Sequence, residues 1–468
     1  MKGALRRLTD YLGSSYWFVP SIMALAAVVL AGSMVSLDSF VGSSWMDGYV
    51  WLYASRPDGA RQVLSSVGGS MITVAGTVFS VTIAAVVYAS GQYGPRLLTN
   101  FMRDRGNQVT LGTFIATFLY CLLVLRTIHS AEESGGYGFV PNLALLVGVL
   151  LALCSIGVLI YFIHHVPSKI HINSVIEDVG DRLLRSVGDR FPHFVGEAPD
   201  DQGDTRSDVP ETFREGSDIA AGHDRREVKA KETGYIQFID DEAVMRLARE
   251  HGLVLRLQYQ SGDFVHVGRA LLEAAPPSRC DDECASDLRG VFTVGSRRSA
   301  LQDIRFLIDE LVEIAARALS PGVNDPFTAV TCLDWLGAAL SDLATRSLPS
   351  HLRVDDDGAL RVIAHPETFA SFMDRSFGAL AQYCATDMIA GLRYLNALGE
   401  VSLECDQPER LATVETYADK LEQLASEGLS GFNLQRIRDR AAELRRALAA
   451  PDYKRRLRDG TAWLAGTA

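Results

Sequence analysis

Residues 62–95 pass without one charged side chain. A water-soluble core has no need of such a run, so it predicts a membrane span. As one helix at ~1.5 Å per residue it would reach about 50 Å, well beyond the ~30 Å of a hydrocarbon core. It must therefore overrun the bilayer or break. Ser90-Gly91-Gln92-Tyr93-Gly94-Pro95 supplies the break, with Gly91, Gly94 and Pro95 as the hinge: the glycines loosen the backbone and proline lacks the N–H a helix interior requires. Inside the span Gly69, Thr73, Gly76, Thr77 and Ser80 recur at spacings of three and four, so one helical face is small and polar, while Ile72, Val74, Val78, Phe79 and Val81 lie mostly elsewhere. Lipid does not select such a face. It calls for water or a close helix, which marks these five residues as pore-lining or helix-packing.

Three further apolar runs give, with this one, four spans at 16–37, 67–89, 109–125 and 137–163. Lys2, Arg6 and Arg7 precede the first, Arg96, Arg103 and Arg105 lie between the second and third, and Lys169 follows the fourth. The other two loops carry acids such as Asp38, Asp47, Glu132 and Glu133. By the positive-inside bias, both termini are expected in the cytoplasm. Leu97, Leu98, Phe101 and Met102 set against the arginines of that inner loop predict a short amphipathic helix over about 95–106. The net charge of −12 is carried mostly after Lys169, which ends a membrane domain at about residue 170. Residues 171–233 read as a connecting segment whose acidic, Gly-rich part from 196 is a mobile linker. Among the seven cysteines, Cys121 and Cys154 sit in apolar runs and the rest form no framework of close pairs, which suits reduced thiols.

Gly-Ser-Met-Ile-Thr at 69–73, Phe-Ser-Val-Thr at 79–82, Ala-Ser-Gly-Gln-Tyr-Gly-Pro-Arg-Leu-Leu at 89–98 and Phe-Met-Arg-Asp-Arg at 101–105 carry a family resemblance. Gln-Val-Thr-Leu-Gly-Thr-Phe at 108–114, Gly-Tyr-Ile-Gln-Phe-Ile-Asp at 234–240 and Arg-Ala-Leu-Ser-Pro-Gly-Val-Asn-Asp-Pro at 317–326 extend it over most of the chain. The chain resembles a family of predicted bacterial membrane proteins classed as a domain of unknown function. That resemblance implies a bacterial inner-membrane location and no particular activity.

The soluble part divides into a small mixed α/β unit at 234–298 and a mainly helical region at 299–468. Residues 235–239 form a strand, Asp240 or Asp241 caps a helix, and alternation from Leu253 followed by Ser261-Gly262-Asp263 predicts a turn into further strands. The fold class is thus an α-helical membrane domain with four transmembrane helices, followed by a cytosolic, mostly helical α/β domain with a small β-sheet unit. Leu301, Ile304, Ile308, Leu311 and Ala315 mark a buried helical stripe that Ser320-Pro321-Gly322 stops. Strands are expected near 352–353 and 360–363, then helices near 366–398, 408–427 and 432–448.

The turn at 320–328 is the soluble part's ligand candidate, with Ser320, Asn324, Asp325 and Thr328 at a helix start and Arg305 and Arg317 from the preceding helix. Helix capping by Asn324 or Asp325 ahead of Pro326 accounts for the same residues. His164, His165 and His171 lack a thiol or carboxylate placed to complete a metal site, and Cys280 and Cys284 lack a second pair, so no metal and no cofactor is expected. The arginines from 436 to 458 are interleaved with acids, which reads as a solvated face with anionic lipid as the alternative. Overall charge argues against nucleic acid. Phosphate-loop, zinc-protease, nucleophile-elbow and dinucleotide signatures are all absent, so no enzyme is expected. The leading expectation is an oligomeric channel or channel-like transporter, lined by the second span and gated by its cytosolic domain, passing a small ion or answering an anionic ligand. The alternatives are a membrane-anchored sensor or scaffold that transports nothing and, with least support, an enzyme at the membrane surface.

Overall fold

A computed structural model describes residues 16–41, 57–93, 104–130, 139–191, 209–210, 213, 225–365, 367–450 and 452–459. It divides into two compact units, Leu8–Ser174 and Val175–Ala468.

Among the described residues, the first unit holds four helices long and apolar enough to cross a membrane: α1 (Phe18–Val41), α2 (Pro57–Tyr93), α3 (Arg105–Leu125) and α4 (Asn142–Ile170). The third is the central one. It packs on each of the other three, and 44% of its apolar window is buried against 17% to 22% for the rest. Its hydroxyls join the bundle, Tyr120 donating to the Ala144 carbonyl at 2.9 Å and Thr117 lying 3.1 Å from Ser155. α3 starts at Arg105, with Asp104 accepting from the Gly106 N–H at 2.8 Å, so 104–106 open the third span and do not close an amphipathic helix. The rest of that expected helix lies outside the described residues. The second span overruns: its helix begins before the charge-free run and continues through Gly91, so Gly91 is helical and no hinge forms there. Gly94 and Pro95 lie outside the described residues.

At the far end of the bundle a carboxylate holds the start of α4. Pro141 offers no side chain to cap it, and Asp38 of α1 accepts instead from the N–H groups of Leu143 at 3.0 Å and Ala144 at 2.9 Å.

The second unit begins with α5 (Ile172–Arg190), so a helix occupies the start of the stretch expected as a connecting segment. Val175, Ile176, Val179, Leu183 and Val187 are buried along one stripe, and α5 comes so close to Trp335 that Gly180 has no room for a Cβ. Next come β1 (Arg226–Lys229), within the expected acidic linker, β2 (Gly234–Ile239), α6 (Asp241–Glu250), β3 (Val254–Leu257), β4 (Phe264–Val265), β5 (Ala270–Ala275), α7 (Asp282–Gly290) and β6 (Phe292–Gly295). Asp240 is the α6 cap, accepting from the Ala243 N–H at 3.2 Å. Then follow α8 (Ile304–Ala318), α9 (Pro326–Thr345), β7 (Leu352–Val354), β8 (Leu360–Ile363), α10 (Phe369–Met373), α11 (Ala379–Cys384), α12 (Met388–Glu404), α13 (Pro408–Gly428), α14 (Gly431–Leu448) and α15 (Tyr453–Asp459). The single helix expected near 366–398 is divided: a π-helical segment joins α10 to α11, and Asp387 caps a new start by accepting from the Ala390 N–H at 2.9 Å.

The strands form two sheets, β1-β5-β3-β8-β7 and β4-β2-β6. β8 runs parallel to β3 and is their link to the helical region, so 234–298 and 299–468 share a sheet and one compact unit. Cys280 and Cys284 belong to the apolar core between sheet and helices, and among the described residues no group of His, Cys, Asp and Glu is placed to hold a metal. On α14, Ile437, Ala441 and Leu444 are buried, Ile437 lying against Gly391 of α12.

Candidate functional site

Along α2 the residues that face the bundle are Leu64, Gly68, Met71, Ala75, Val78, Thr82 and Val86, all buried and all three or four apart. Gly69, Thr73, Gly76, Thr77 and Ser80 are all exposed. At ~100° of turn per residue the second set is centred on the opposite side of the helix from the first. Among the described residues, nothing lies within 4 Å of where a Cβ would stand at Gly69 or Gly76. The three hydroxyls are satisfied locally, Thr73 donating to the Gly69 carbonyl at 2.9 Å, Thr77 to Thr73 at 3.1 Å and Ser80 to Gly76 at 2.8 Å. Each oxygen keeps acceptor capacity toward whatever lies beside it. The fold therefore turns the small polar stripe away from the chain's own helices.

A second polar cluster joins α3 to α4. Asp104, the α3 cap, also lies 2.8 Å from His165 Nε2, and Tyr161 OH lies 3.0 Å from His165 Nδ1, the two rings stacking at 4.8 Å. Gly106 makes this approach possible, since a Cβ there would meet His165 Nε2 at 2.6 Å. From sequence His165 reads as one of several interface histidines. The i, i+4 spacing of Tyr161 and His165 was the available signal, but Asp104 is far off in the chain.

The turn at 320–328 is a helix cap. Asp325 accepts from the Thr328 N–H at 3.2 Å and from its hydroxyl at 2.6 Å, Pro326 is the first residue of α9, and Asn324 takes the left-handed conformation at φ 50°. Ser320 donates to the Arg317 carbonyl at 2.6 Å, and Arg317 lies 3.7 Å from Glu313. Arg305 does not join them. It stands in the first turn of α8 while the loop follows the last, ~20 Å along the axis. There it donates to the Ser261 carbonyl at 2.5 Å and pairs with Asp263 at 3.1 Å.

The basic C-terminal run finds partners within the unit: Arg440 on Asn396 at 2.7 Å, Arg445 on Asp419 at 2.6 Å and Glu422 at 2.7 Å, Lys454 on Asp406 at 2.6 Å. That matches a solvated, paired face better than a lipid-binding patch.

Residues 13–400 match the family described as Predicted membrane protein (DUF2254). An uncharacterized protein of Mycobacterium bovis is 32% identical over 419 residues, covering 88% of this chain and 76% of that protein. An uncharacterized protein of Mycobacterium tuberculosis gives the same identity and coverage. No solved structure matches the chain.

Proposed function

The chain belongs to the Predicted membrane protein (DUF2254) family, and from that premise we propose that it is an oligomeric channel or channel-like transporter of the bacterial inner membrane. In this reading the second spans of neighbouring copies meet through the Gly69, Thr73, Gly76, Thr77, Ser80 face and surround a polar path for a small ion. The C-terminal unit lies in the cytoplasm and gates it, and no catalytic step is involved. One observation carries the reading: the small polar stripe lies opposite the seam by which α2 packs on its own chain. Lipid rewards neither glycine, which costs ~1 kcal/mol against alanine in a helix, nor hydroxyls that must be satisfied on their own backbone. A second copy, with water between, rewards both.

Purified protein reconstituted in planar bilayers should give reproducible unitary currents. Thr73→Cys should react with a small water-soluble thiol reagent in the assembled protein, and Gly76→Leu should reduce conductance or break the assembly. An intact oligomer with no current, no reaction at position 73 and no response to bulk at position 76 would leave the membrane-anchored sensor or scaffold as the better reading.

A further inference from the structure

A cavity of about 100 Å³ lies in the C-terminal unit among the end of α5, the loop after β3, the start of α8 and the segment after β8. Its ionisable lining includes Arg190, Asp241, Asp303, Arg305, His365 and Glu367. Some of these charges are already matched. Arg305 pairs with Asp263 and, at 3.4 Å, with Asp303, whose side chain is fully buried. Arg298 reaches the same Asp303 and also Asp309, each at 2.5 Å, and Arg375 reaches Asp309 at 2.7 Å. Three guanidiniums and three carboxylates thus balance. Asp241 opens α6 and accepts from the Glu242 N–H at 3.0 Å.

Arg190, Arg353 and Glu367 remain. Arg353 on β7 is 2% exposed, and neither its Nε nor its Nη1 has a hydrogen-bond partner among the described residues. The Oε2 of Glu367 is likewise without one. Burial pushes Arg190 and Arg353 each down to about 10, against the pull of Glu367 on both and of Asp303 on Arg190, and burial pushes Glu367 up against the pull of Arg305, Arg190 and Arg353. Glu367 thus stands among Arg305, Arg190 and Arg353, and it leaves the Nε and Nη1 of the buried Arg353 without a partner among the described residues. Unpaired buried donors of this kind are costly, and a guanidinium is the side chain whose fork fits a planar or tetrahedral oxyanion.

We propose that this cavity binds a small oxyanion, a phosphate or carboxylate group, with Arg190 on its wall as the direct partner. Arg353 supplies buried positive charge, and Glu367 is the internal carboxylate the ligand competes with. The size fits a single such group, since whole drug-sized ligands occupy ~300–1,000 Å³. The site stands whether or not the membrane unit conducts.

Calorimetric titration of the full-length, detergent-purified protein with sodium phosphate, and separately with sodium acetate, against chloride at matched ionic strength tests it. Saturable binding of at least one anion is expected, phosphate alone or acetate alone deciding between the two groups. Arg190→Met should weaken it about tenfold or more, the scale of one charge-assisted bond. Glu367→Gln should tighten it, a gain that misfolding does not mimic. Arg353→Met, which removes a cation with two unpartnered nitrogens, should keep its Tm without anion and lose most of the anion-dependent rise in Tm seen in the parent protein. No saturable binding of either anion at millimolar concentration, or binding that Arg190→Met and Glu367→Gln leave unchanged, overturns the proposal.

Discussion

The exposed face of the second span and the interior of the C-terminal unit use the same small and polar residues in opposite ways. In the membrane unit Gly69 and Gly76 face open space, and the hydroxyls of Thr73, Thr77 and Ser80 bond only the preceding turn of their own helix. In the C-terminal unit Gly180 is pressed against the Trp335 ring, and polar groups find partners far away in sequence, as Arg375 does on Asp309. The contrast follows from the solvent. Lipid supplies no hydrogen bonds, so a span must satisfy itself locally wherever it is not packed, whereas a water-soluble unit spends its polar groups on fixing its tertiary structure. At Gly180 the C-terminal unit fills the notch with its own side chain, whereas at Gly69 and Gly76 the second span leaves a face for something else.

The largest effect that tests this contrast is at Gly180. Gly180→Ala should cost about 1–3 kcal/mol, because the alanine methyl overlaps an indole that is itself packed. An unchanged melting transition of the C-terminal unit would mean that the close approach of α5 to α9 is not a constraint.

The long-range ion pairs give the next test. Burial alone would raise the Asp309 carboxyl, but hydrogen bonds and charge from Arg375 and Arg298 outweigh it and hold it below the ordinary carboxylate value. A depressed carboxyl contributes stability that is present above its unfolded value, ~3.9, and is lost as pH falls through the folded one. The stability gap between the parent protein and Asp309→Asn should therefore be full at neutral pH and close below about pH 4. A gap that stays constant through acid would assign the effect to packing.

Asp325→Ala should cost about 0.5–2 kcal/mol, the range for a lost helix cap, and leave any current per folded molecule unchanged. Loss of current in protein that melts normally would make the 320–328 turn a ligand site after all. The smallest effect belongs to the membrane unit: with nothing within 4 Å, Gly76→Ala should leave the monomer's melting unchanged or raise it by up to about 1 kcal/mol. A fall in Tm would reveal a neighbour against that face.

Four spans were legible because charge-free runs of that length admit one interpretation. Their ends were not, since Asp104 and Asp38 act on helix starts through caps that hydropathy ignores. The α5 helix went unread because Glu177, Asp178, Asp181, Arg182 and Arg185 dominate its composition, although Val175, Val179, Leu183 and Val187 already kept helical spacing. The small polar stripe on α2 was legible, but not that it lies away from the bundle; that depends on which face α3 takes. Arg305 carries a legible helical spacing but stands at the opposite end of α8 from the 320–328 turn, which spacing alone does not reveal. Arg190, Arg353 and Glu367 gave no signal, for they come together only when α5, the β7–β8 pair and α8 assemble.

Asp38 grips α4 at Leu143 and Ala144, and Asp104 grips it again at His165. The two fastenings stand ~33 Å apart along the helix, close to the ~30 Å thickness of a hydrocarbon layer. A plank bolted at both ends does not swing. The fourth span is thereby a strut, and α3, bolted to it through the same Asp104, shares its rigidity. The second span rests on the bundle along the seam of Leu64, Gly68, Met71, Ala75, Val78, Thr82 and Val86, and near its start Arg61 donates to the Ile128 carbonyl at 2.9 Å, so its opposite, small and polar side is the one left free of these fastenings.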